Sequence, residues 1–278
     1  MSNTNIEIHE TAFITAIFRS TYENLSGDYY AKLWSNQKTN IWLKDYLSKV
    51  STEDVFTHCV RNRYFLETIK ELIKVNNIEV LINFGSGFSM YPFLLNESII
   101  NIEIDKPEIV NYKNLKINEW QRNEQLPKRE IHLIGVDFSE NYEQNLLSKI
   151  NKIVQNKATF ILIEGVLFFL NQEETNRIFN FFSQLQNIGD YIGSVSYQKS
   201  LKKTIAFKNL LAFFNEKVSK TSVSDYLTLE DNYYKNIKGY SLIDHQDYFS
   251  QSKKYNHTIK LEKDAILNEH FYLLKKHL

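Results

Sequence analysis

The stretch EVLINFGSGFSM, residues 79–90, sets the architecture of the chain. EVLINF is a short apolar run rich in β-branched residues, which predicts a buried strand that ends at Gly85. Similar runs follow at residues 98–104, 131–136, 158–164 and 190–197, and helical patterns separate the later ones. Near-continuous apolar strands that alternate with helices indicate an α/β fold with a mostly parallel sheet covered on both faces. Right-handed crossovers make that sheet doubly wound and Rossmann-like.

Helical sequence precedes this region. Residues 1–75 carry apolar side chains at helix-like spacing and predict an N-terminal helical cap packed on the core. Residues 76–278 are the predicted core, and we expect an insertion at about 198–250 to cover a substrate.

The C-terminal part gives weaker patterns. A helix is predicted at 202–217, followed by an irregular, Tyr-rich loop at 220–239. HTIKLE (257–262) and HFYLLKK (270–276) predict a closing antiparallel hairpin, which brings the sheet to seven strands.

Composition excludes several classes of protein. The chain has 33 Lys and Arg against 33 Asp and Glu, which argues against a general nucleic-acid binder because such affinity comes largely from phosphate neutralisation. The single cysteine, Cys59, permits no intramolecular disulfide or multi-cysteine metal site, and we expect no metal. The N-terminal residues lack a signal-peptide pattern, and the longest apolar stretch, 160–170, is too short to span a membrane. We therefore expect a cytoplasmic protein, monomeric or homodimeric, without a membrane or nucleic-acid partner.

Polar residues follow the predicted strands, where parallel sheets bind their ligands. A Gly-Ser-Gly turn (85–87), Asp105, Asp137 and Glu164 occupy the carboxyl ends of four strands. Asp105 lies 20 residues after Gly85, which suits an acid that accepts hydrogen bonds from ribose hydroxyls. A tight turn alone also explains Gly-x-Gly, and helix N-capping also explains Asp105 and Asp137. Glu164 interrupts the otherwise apolar FILIEGVLFFL, and a buried carboxylate needs partners or a ligand.

Two kinds of nucleotide cofactor could use this layout. A dinucleotide enzyme, such as an NAD(P)-dependent oxidoreductase, prefers Gly-x-Gly-x-x-Gly because the pyrophosphate then lies at a helix N-terminus. Here Met90 stands at the third glycine position, and the helix that follows is short and bulky. S-adenosylmethionine has no pyrophosphate and tolerates that turn, so the sequence favours a methyl donor.

Several segments, in order, resemble the leucine carboxyl methyltransferase family, which includes bacterial O-methyltransferases that act on polyketides and other small molecules. These segments are TAFITAIFRS (11–20), RNRYFLE (61–67), LINFGSGFSMYPFLL (81–95), NIEIDKPEIVNYK (101–113), IHLIGVDF (131–138) and ATFILIEGVLFFLNQEE (158–174). They are similar to the family's N-terminal helix, its Arg-Thr-Arg segment, its glycine turn and the ends of its strands 2, 3 and 4.

The resemblance implies an S-adenosylmethionine-dependent O-methyltransferase that releases S-adenosylhomocysteine. It implies that Arg61, or equally Arg63, pairs with the carboxylate of the methionine part, a bidentate task that suits Arg. The other implied contacts are Gly85 and Gly87 lining the cofactor, Asp105 holding the ribose, Asp137 and Phe138 flanking the adenine, and Glu164 facing the cofactor.

The sequence departs from the family at the glycine turn, which has Phe88-Ser89-Met90 where the family has Asp-Thr-Arg. Phe169 replaces a family Tyr after strand 4, and Leu66 replaces an Asp. The departures leave the identity of the acceptor open.

We expect methyl transfer, by in-line displacement, to a carboxylate or hydroxyl oxygen of a small molecule or peptide. A carboxylate acceptor needs no base, whereas a phenol would benefit from one. His245 is the candidate base, with a surface or capping role as the simpler alternative. Aromatic-rich segments on both sides of the core suggest an apolar or aromatic acceptor. A non-catalytic protein that binds S-adenosylmethionine is a further alternative.

Overall fold

A computed structural model describes residues 10–138, 140–217 and 226–278. Within these residues one sheet has the strand order β3-β2-β1-β4-β5-β7-β6. The strands are β1 (Val80–Phe84), β2 (Ile100–Asp105), β3 (His132–Gly135), β4 (Thr159–Ile163), β5 (Tyr191–Ser196), β6 (Tyr240–Asp247) and β7 (His270–Lys276). Strands β1 to β5 are parallel, and β7 runs antiparallel to both of its neighbours. The predicted seven-stranded, mostly parallel sheet is therefore confirmed.

The helices cover this sheet from both sides. They are α1 (Glu10–Thr21), α2 (Glu23–Ser26), α3 (Gln37–Lys49), α4 (Asp54–Asn76), α5 (Tyr91–Leu94), α6 (Pro107–Arg122), α7 (Glu143–Val154), α8 (Gln172–Leu185), α9 (Ile205–Lys217), α10 (Asp231–Lys235) and α11 (Tyr248–Lys254). Four short 3-10 turns lie at Ala31–Trp34, Leu167–Phe169, Lys199–Lys203 and Lys263–Ala265.

Strand β1 shows why its sequence is apolar throughout. Val80, Ile82 and Phe84 pack with α7 and α8 on one face, and Leu81 packs with α4 on the other. A strand that is covered on both faces has no position for solvent-facing side chains, so alternation disappears. The same reason explains why the first five strands were predictable as apolar runs.

Helix α4 is the longest of the described helices and lies directly on the sheet. Its residues Val60, Phe65 and Ile69 belong to the same buried cluster as side chains of β1, β4, β5 and β7. Residues 10–75 of the predicted cap thus end in a helix that forms one layer of the core. Residues 1–9 of that cap lie outside the described residues.

The C-terminal prediction is wrong in one strand. HTIKLE (257–262) is not a strand; Ile259 and Leu261 pack against the core, which explains the alternating pattern, but the backbone joins no sheet. The partner of β7 is β6, whose Leu242 and Asp244 flank a bulge. His245, the candidate base, therefore lies in strand β6.

The predicted loop at 220–239 is also partly wrong, because α10 forms within it. Residues 220–225 of that loop lie outside the described part of the chain. None of the helices in the described ranges is long and apolar enough to cross a membrane.

Candidate functional site

The turn after β1 depends on two glycines in the left-handed region. Gly85 has φ 71° and Gly87 has φ 45°, a conformation that side chains disfavour. A Cβ on Gly85 would come within 1.9 Å of Val166 Cγ2, so the turn passes closely under the segment after β4. A Cβ on Gly87 would meet only Ala12, at 3.7 Å. The backbone N–H of Gly87 donates a hydrogen bond of 2.7 Å to Asp105 Oδ2.

Asp105, at the end of β2, faces this turn. Its Oδ1 accepts a 2.7 Å hydrogen bond from the backbone N–H of Lys106, which precedes α6. The N-cap of α6 is Lys106 and has no side-chain bond, so Asp105 is not a helix cap. Burial raises the pKa of the Asp105 carboxyl, and its two backbone hydrogen bonds oppose that shift. A carboxylate has about four lone-pair sites, so Asp105 keeps acceptor capacity for hydroxyl donors.

Arg61 and Glu164 form an ion pair at the carboxyl end of β4. Arg61 Nε lies 2.6 Å from Glu164 Oε1, and the side chains are 4% and 8% exposed. Tyr91 donates to Glu164 Oε2 at 3.1 Å. Arg61 Nη1 lies 2.5 Å from Glu269 Oε1, which no sequence pattern had indicated. Burial alone would lower the pKa of Arg61, but Glu269 and Glu164 outweigh burial and raise it.

Glu269 was missed because its place depends on the orientation of β7. The residue precedes β7, and an antiparallel strand begins at the edge where its parallel neighbours end. A signal existed in the predicted antiparallel hairpin, which would have placed an acid before 270–276 at that edge. Burial raises the pKa of Glu269, and the charge of Arg61 and its hydrogen bond oppose the shift.

Asp137 and Phe138 follow β3 and lie beside Asp105. The backbone N–H of Val136 donates to the Asp105 carbonyl at 2.9 Å, which ties the two strand ends together. Asp137 is exposed, and the Phe138 ring packs edge-on against Phe84 at 5.2 Å. The N-cap of the next helix, α7, is Tyr142, so Asp137 does not cap it.

The departures at the glycine turn have a packing explanation. Phe88 and Met90 are 1% and 0% exposed, and Phe88 stacks on Trp34 at 4.2 Å. Trp34 Nε1 lies 3.1 Å from Met90 Sδ. Arg19 of α1 donates to the Phe88 carbonyl at 3.0 Å. The turn is therefore fixed by the N-terminal helices, through apolar contacts that replace the charged side chains of the family pattern.

The two remaining candidates lie apart from this group. Arg63 is half-buried and pairs with Glu67 at 2.5 Å, on the next turn of α4. His245 Nε2 lies 2.9 Å from His270 Nδ1, and its Nδ1 lies 3.3 Å from Asp231 Oδ2. Strand β6 is an edge strand, and β5 and β7 separate it from β4. The structure therefore brings Arg61, and neither Arg63 nor His245, to the side of Glu164.

An aromatic cluster packs between α3, α9 and the turn after β4. Its members include Trp42, Tyr46, Phe168, Phe207, Phe213, Phe214 and Tyr226. Phe168 stacks on Tyr226 at 4.3 Å, and Tyr197 packs edge-on against Phe168 at 5.3 Å. Phe169 is 47% exposed at the margin of this cluster.

Other aromatics that were expected near a substrate pack elsewhere. Tyr22 stacks on Phe56, whereas Tyr30 belongs with Trp34 in the cluster behind the glycine turn. Tyr29 is 50% exposed. Tyr233 and Tyr234 pack against Phe179 of α8.

The residues present fit S-adenosylmethionine. Gly165, directly after Glu164, has φ 73°, and a Cβ there would meet no atom within 4 Å. Gly87 is similarly open, so two stretches of backbone on either side of the site face free space. A guanidinium carries five N–H donors, so Arg61 keeps donors that its two carboxylate partners do not use. The site thus offers a cation for a carboxylate, an acid for hydroxyls and exposed backbone, which are the groups that this ligand requires.

Comparisons with solved structures establish the fold. A candidate methyltransferase from Thermobifida fusca YX aligns with a TM-score of 0.65 at 10% identity, over 94% of this chain and 95% of that chain. A DUF574 family protein from Streptomyces avermitilis aligns with a TM-score of 0.59 at 10% identity, over 96% and 97%. Magnesium protoporphyrin IX methyltransferase from Synechocystis PCC 6803, with bound S-adenosylhomocysteine, gives 0.51 at 10% identity, over 94% and 98%. No curated protein matches the sequence.

Family membership comes from the sequence match. The model of the leucine carboxyl methyltransferase family matches residues 12–183, which is more than half of the chain. The matched region contains the glycine turn, Asp105, Arg61 and Glu164, and it ends within α8. The chain therefore belongs to the leucine carboxyl methyltransferase family of S-adenosylmethionine-dependent methyltransferases, and S-adenosylmethionine is its cofactor.

Proposed function

We propose that the protein transfers the methyl group of S-adenosylmethionine to a carboxylate or hydroxyl oxygen of a small molecule or peptide. The observation that carries this proposal is the placement of Arg61 and Glu164. The pair lies at the carboxyl end of β4, beside the open backbone at Gly165, and Phe168 of the same segment joins the aromatic cluster.

The cofactor contacts follow from this placement. Arg61 binds the carboxylate of the methionine part, and Asp105 accepts hydrogen bonds from the ribose hydroxyls. Gly85 shapes the turn and Gly87 presents its backbone to the ligand, while Asp137 and Phe138 flank the adenine. Glu164 faces the sulfur end of the cofactor. The partial burial of Phe138 against Phe84 supports a flat apolar wall at the adenine position.

Bound S-adenosylmethionine supplies an electrophilic methyl group. The acceptor oxygen forms a bond to the methyl carbon as the carbon–sulfur bond breaks, and S-adenosylhomocysteine leaves. The chain's own contribution is to position the acceptor in line and to exclude water, which the aromatic cluster beginning at Phe168, just after Glu164, supports. An ionised carboxylate loses no proton in this reaction, whereas a hydroxyl proton passes to a base or to water.

The acceptor side of the site is apolar. Phe168, Phe169 and Tyr226 contact one another at the margin of the aromatic cluster, and Phe169 presents half of its ring. An aromatic or aliphatic acceptor would bury apolar surface there. These contacts support an apolar or aromatic acceptor with one reactive oxygen.

Methyl transfer from methyl-labelled S-adenosylmethionine to a panel of carboxylic acids and phenols tests this function. We expect labelled product with the wild type and at least a tenfold lower rate with Asp105→Ala. Charge-assisted hydrogen bonds from an acid to its ligand contribute roughly this factor to the rate. Mild alkali removes the label from an ester and leaves an ether intact, which identifies the oxygen. Label on nitrogen or sulfur would refute oxygen transfer. Binding of the cofactor without transfer to either class would favour the non-catalytic alternative.

A further inference from the structure

Glu269 lies in a rigid setting at the edge of the site. The residue immediately precedes β7, and its carbonyl accepts a 3.0 Å hydrogen bond from the backbone N–H of Tyr248. Ile266 and Leu267, just before it, are 0% and 1% exposed. The Glu269 side chain is 4% exposed and binds Arg61 through Oε1, while its Oε2 is buried without a hydrogen-bond partner among the described residues. The backbone and the carboxylate of Glu269 are therefore both fixed.

Two carboxylates hold the Arg61 guanidinium at different nitrogens. Glu164 binds Nε at 2.6 Å and Glu269 binds Nη1 at 2.5 Å. A guanidinium is planar and its N–H groups point in fixed directions, so two anchored contacts define the plane and its rotation. Glu164 is itself held by a hydrogen bond from Tyr91, and Glu269 is held by its burial before β7. The directions of the remaining N–H groups of Arg61 are therefore set before any ligand binds.

Stability alone does not account for this arrangement. Burying a charged pair costs desolvation energy that roughly offsets the attraction, and apolar residues of similar volume often stabilise a core equally well. Here three charged side chains are at most 8% exposed. Arg61 and Glu164 lie within the family match, which spans residues 12–183. Glu269 therefore lies outside the region that the family model matches.

We propose that Glu269 is a positioning residue that orients Arg61 toward the methionine part of S-adenosylmethionine. The inference rests on the role of Arg61 given under the proposed function. Glu164, Glu269 and Arg61 together carry one more negative than positive charge. S-adenosylmethionine carries one more positive charge, because it has a sulfonium and an ammonium but only one carboxylate, so the two complement each other. Strand β7 thereby completes a cofactor site that the preceding strands begin.

Calorimetric titration of the full chain with three ligands tests this role. S-adenosylmethionine and S-adenosylhomocysteine carry the amino acid part, and 5′-methylthioadenosine has the adenosine and the sulfur without it. For Glu269→Gln we expect about tenfold weaker binding of the first two and a change within about twofold for the third, since a charge-assisted hydrogen bond is lost. Glu262→Gln, an exposed site, is the matched control and should bind all three as the wild type does.

A double substitution shows whether Glu269 acts through Arg61. In an Arg61→Lys background, Glu269→Gln should change the affinity for S-adenosylhomocysteine by no more than about twofold, because coupled residues are non-additive. Equal weakening of all three ligands, or unchanged affinity for all three, would overturn the proposal. If Glu269→Gln does not fold, Glu269→Asp, which keeps the charge but draws it back from Arg61, supplies the same comparison, with about threefold weakening expected. Transfer to a nitrogen acceptor would refute the proposed function and leave these titrations unaffected.

Discussion

The backbone of Gly85 passes so close to Val166 that a side chain has no room. Gly85→Ala adds a methyl group at 1.9 Å from Val166 Cγ2 and strains a residue with φ 71°. We expect a loss of about 2–4 kcal/mol in the free energy of unfolding, from left-handed strain together with overpacking. Urea denaturation measures it.

Gly189→Ala provides the matched control for that substitution. Gly189 also has a positive φ, 97°, but a Cβ there would meet no atom within 4 Å. Gly189→Ala should lower the free energy of unfolding only by the backbone strain, about 1–2 kcal/mol. Equal losses at both glycines would show that the contact with Val166 does not matter.

Asp105 is the residue on which cofactor affinity should depend most clearly. Asp105→Asn loses the charge and one of the two acceptors for the backbone N–H groups of Gly87 and Lys106. We expect S-adenosylhomocysteine to bind about tenfold to a hundredfold more weakly, with about 1–2 kcal/mol lost in stability. Calorimetry and thermal unfolding measure the two quantities separately. Unchanged affinity in a folded variant would remove Asp105 from the cofactor site.

Helix α4 begins with a buried acid that should make stability depend on pH. Asp54 is 1% exposed and accepts a hydrogen bond from Tyr46 of α3. Burial raises the pKa of Asp54 from 3.8 to about 8. The folded protein therefore keeps a proton that the unfolded chain releases, and the linked stabilisation is complete below pH 3.8 and is lost as the pH rises to about 8.

Asp54→Asn tests this linkage, since an amide does not ionise. We expect the variant to match the wild type near pH 4 and to exceed its free energy of unfolding by roughly 2–5 kcal/mol near pH 8. Denaturation at a series of pH values measures the difference, and the exposed Asp264→Asn should keep the wild-type profile. A difference that is constant across the pH series would contradict the raised pKa of Asp54.

The elements of the sheet differ in how well sequence predicts them. The strands β1 to β5 were located within two residues. In β1, β2, β4 and β5 two covered faces leave a continuous apolar run, and the partly buried edge strand β3 was found because its sequence is apolar as well. Strand β6 was missed because an edge strand is half-solvated, and LIDHQD reads as polar. Residues 257–262 alternate like a strand because one side packs on the core, but pairing is a tertiary property that alternation does not guarantee.

The part of the candidate site that lies at the carboxyl ends of the parallel strands was predictable. Asp105 and Glu164 end or follow β2 and β4, so their meeting at one edge follows from a parallel sheet. Glu269 joins them only because β7 runs in the opposite direction. Tyr91 was missed for a related reason, since its hydroxyl binds Glu164, which lies 73 residues away in the chain.

At the scale of the whole molecule, the site joins distant parts of the chain. Arg19 of α1 holds the glycine turn, α4 supplies Arg61, and the segment before β7 supplies Glu269. A ligand bound there should stabilise the entire fold. At a hundred times its dissociation constant, S-adenosylhomocysteine should add about 2.7 kcal/mol and raise the Tm by about 5 °C.

Differential scanning calorimetry measures that rise. NADH at the same concentration should leave the Tm unchanged, since Met90 stands where a dinucleotide turn has glycine. Asp105→Asn should reduce the rise with S-adenosylhomocysteine. A comparable rise with NADH would contradict the selectivity of the glycine turn for a cofactor without pyrophosphate.

The sheet order also governs assembly during synthesis on the ribosome. Strand β7 lies between β5 and β6, although β6 precedes it in the chain. Strand β6 therefore has no neighbour to join until residues 270–276 have emerged, and the nascent β5 presents unpaired N–H and C=O groups throughout that interval. Gly193, Ser194 and Ser196 occupy that strand, and small or polar residues of this kind lower its tendency to pair with strands of other chains.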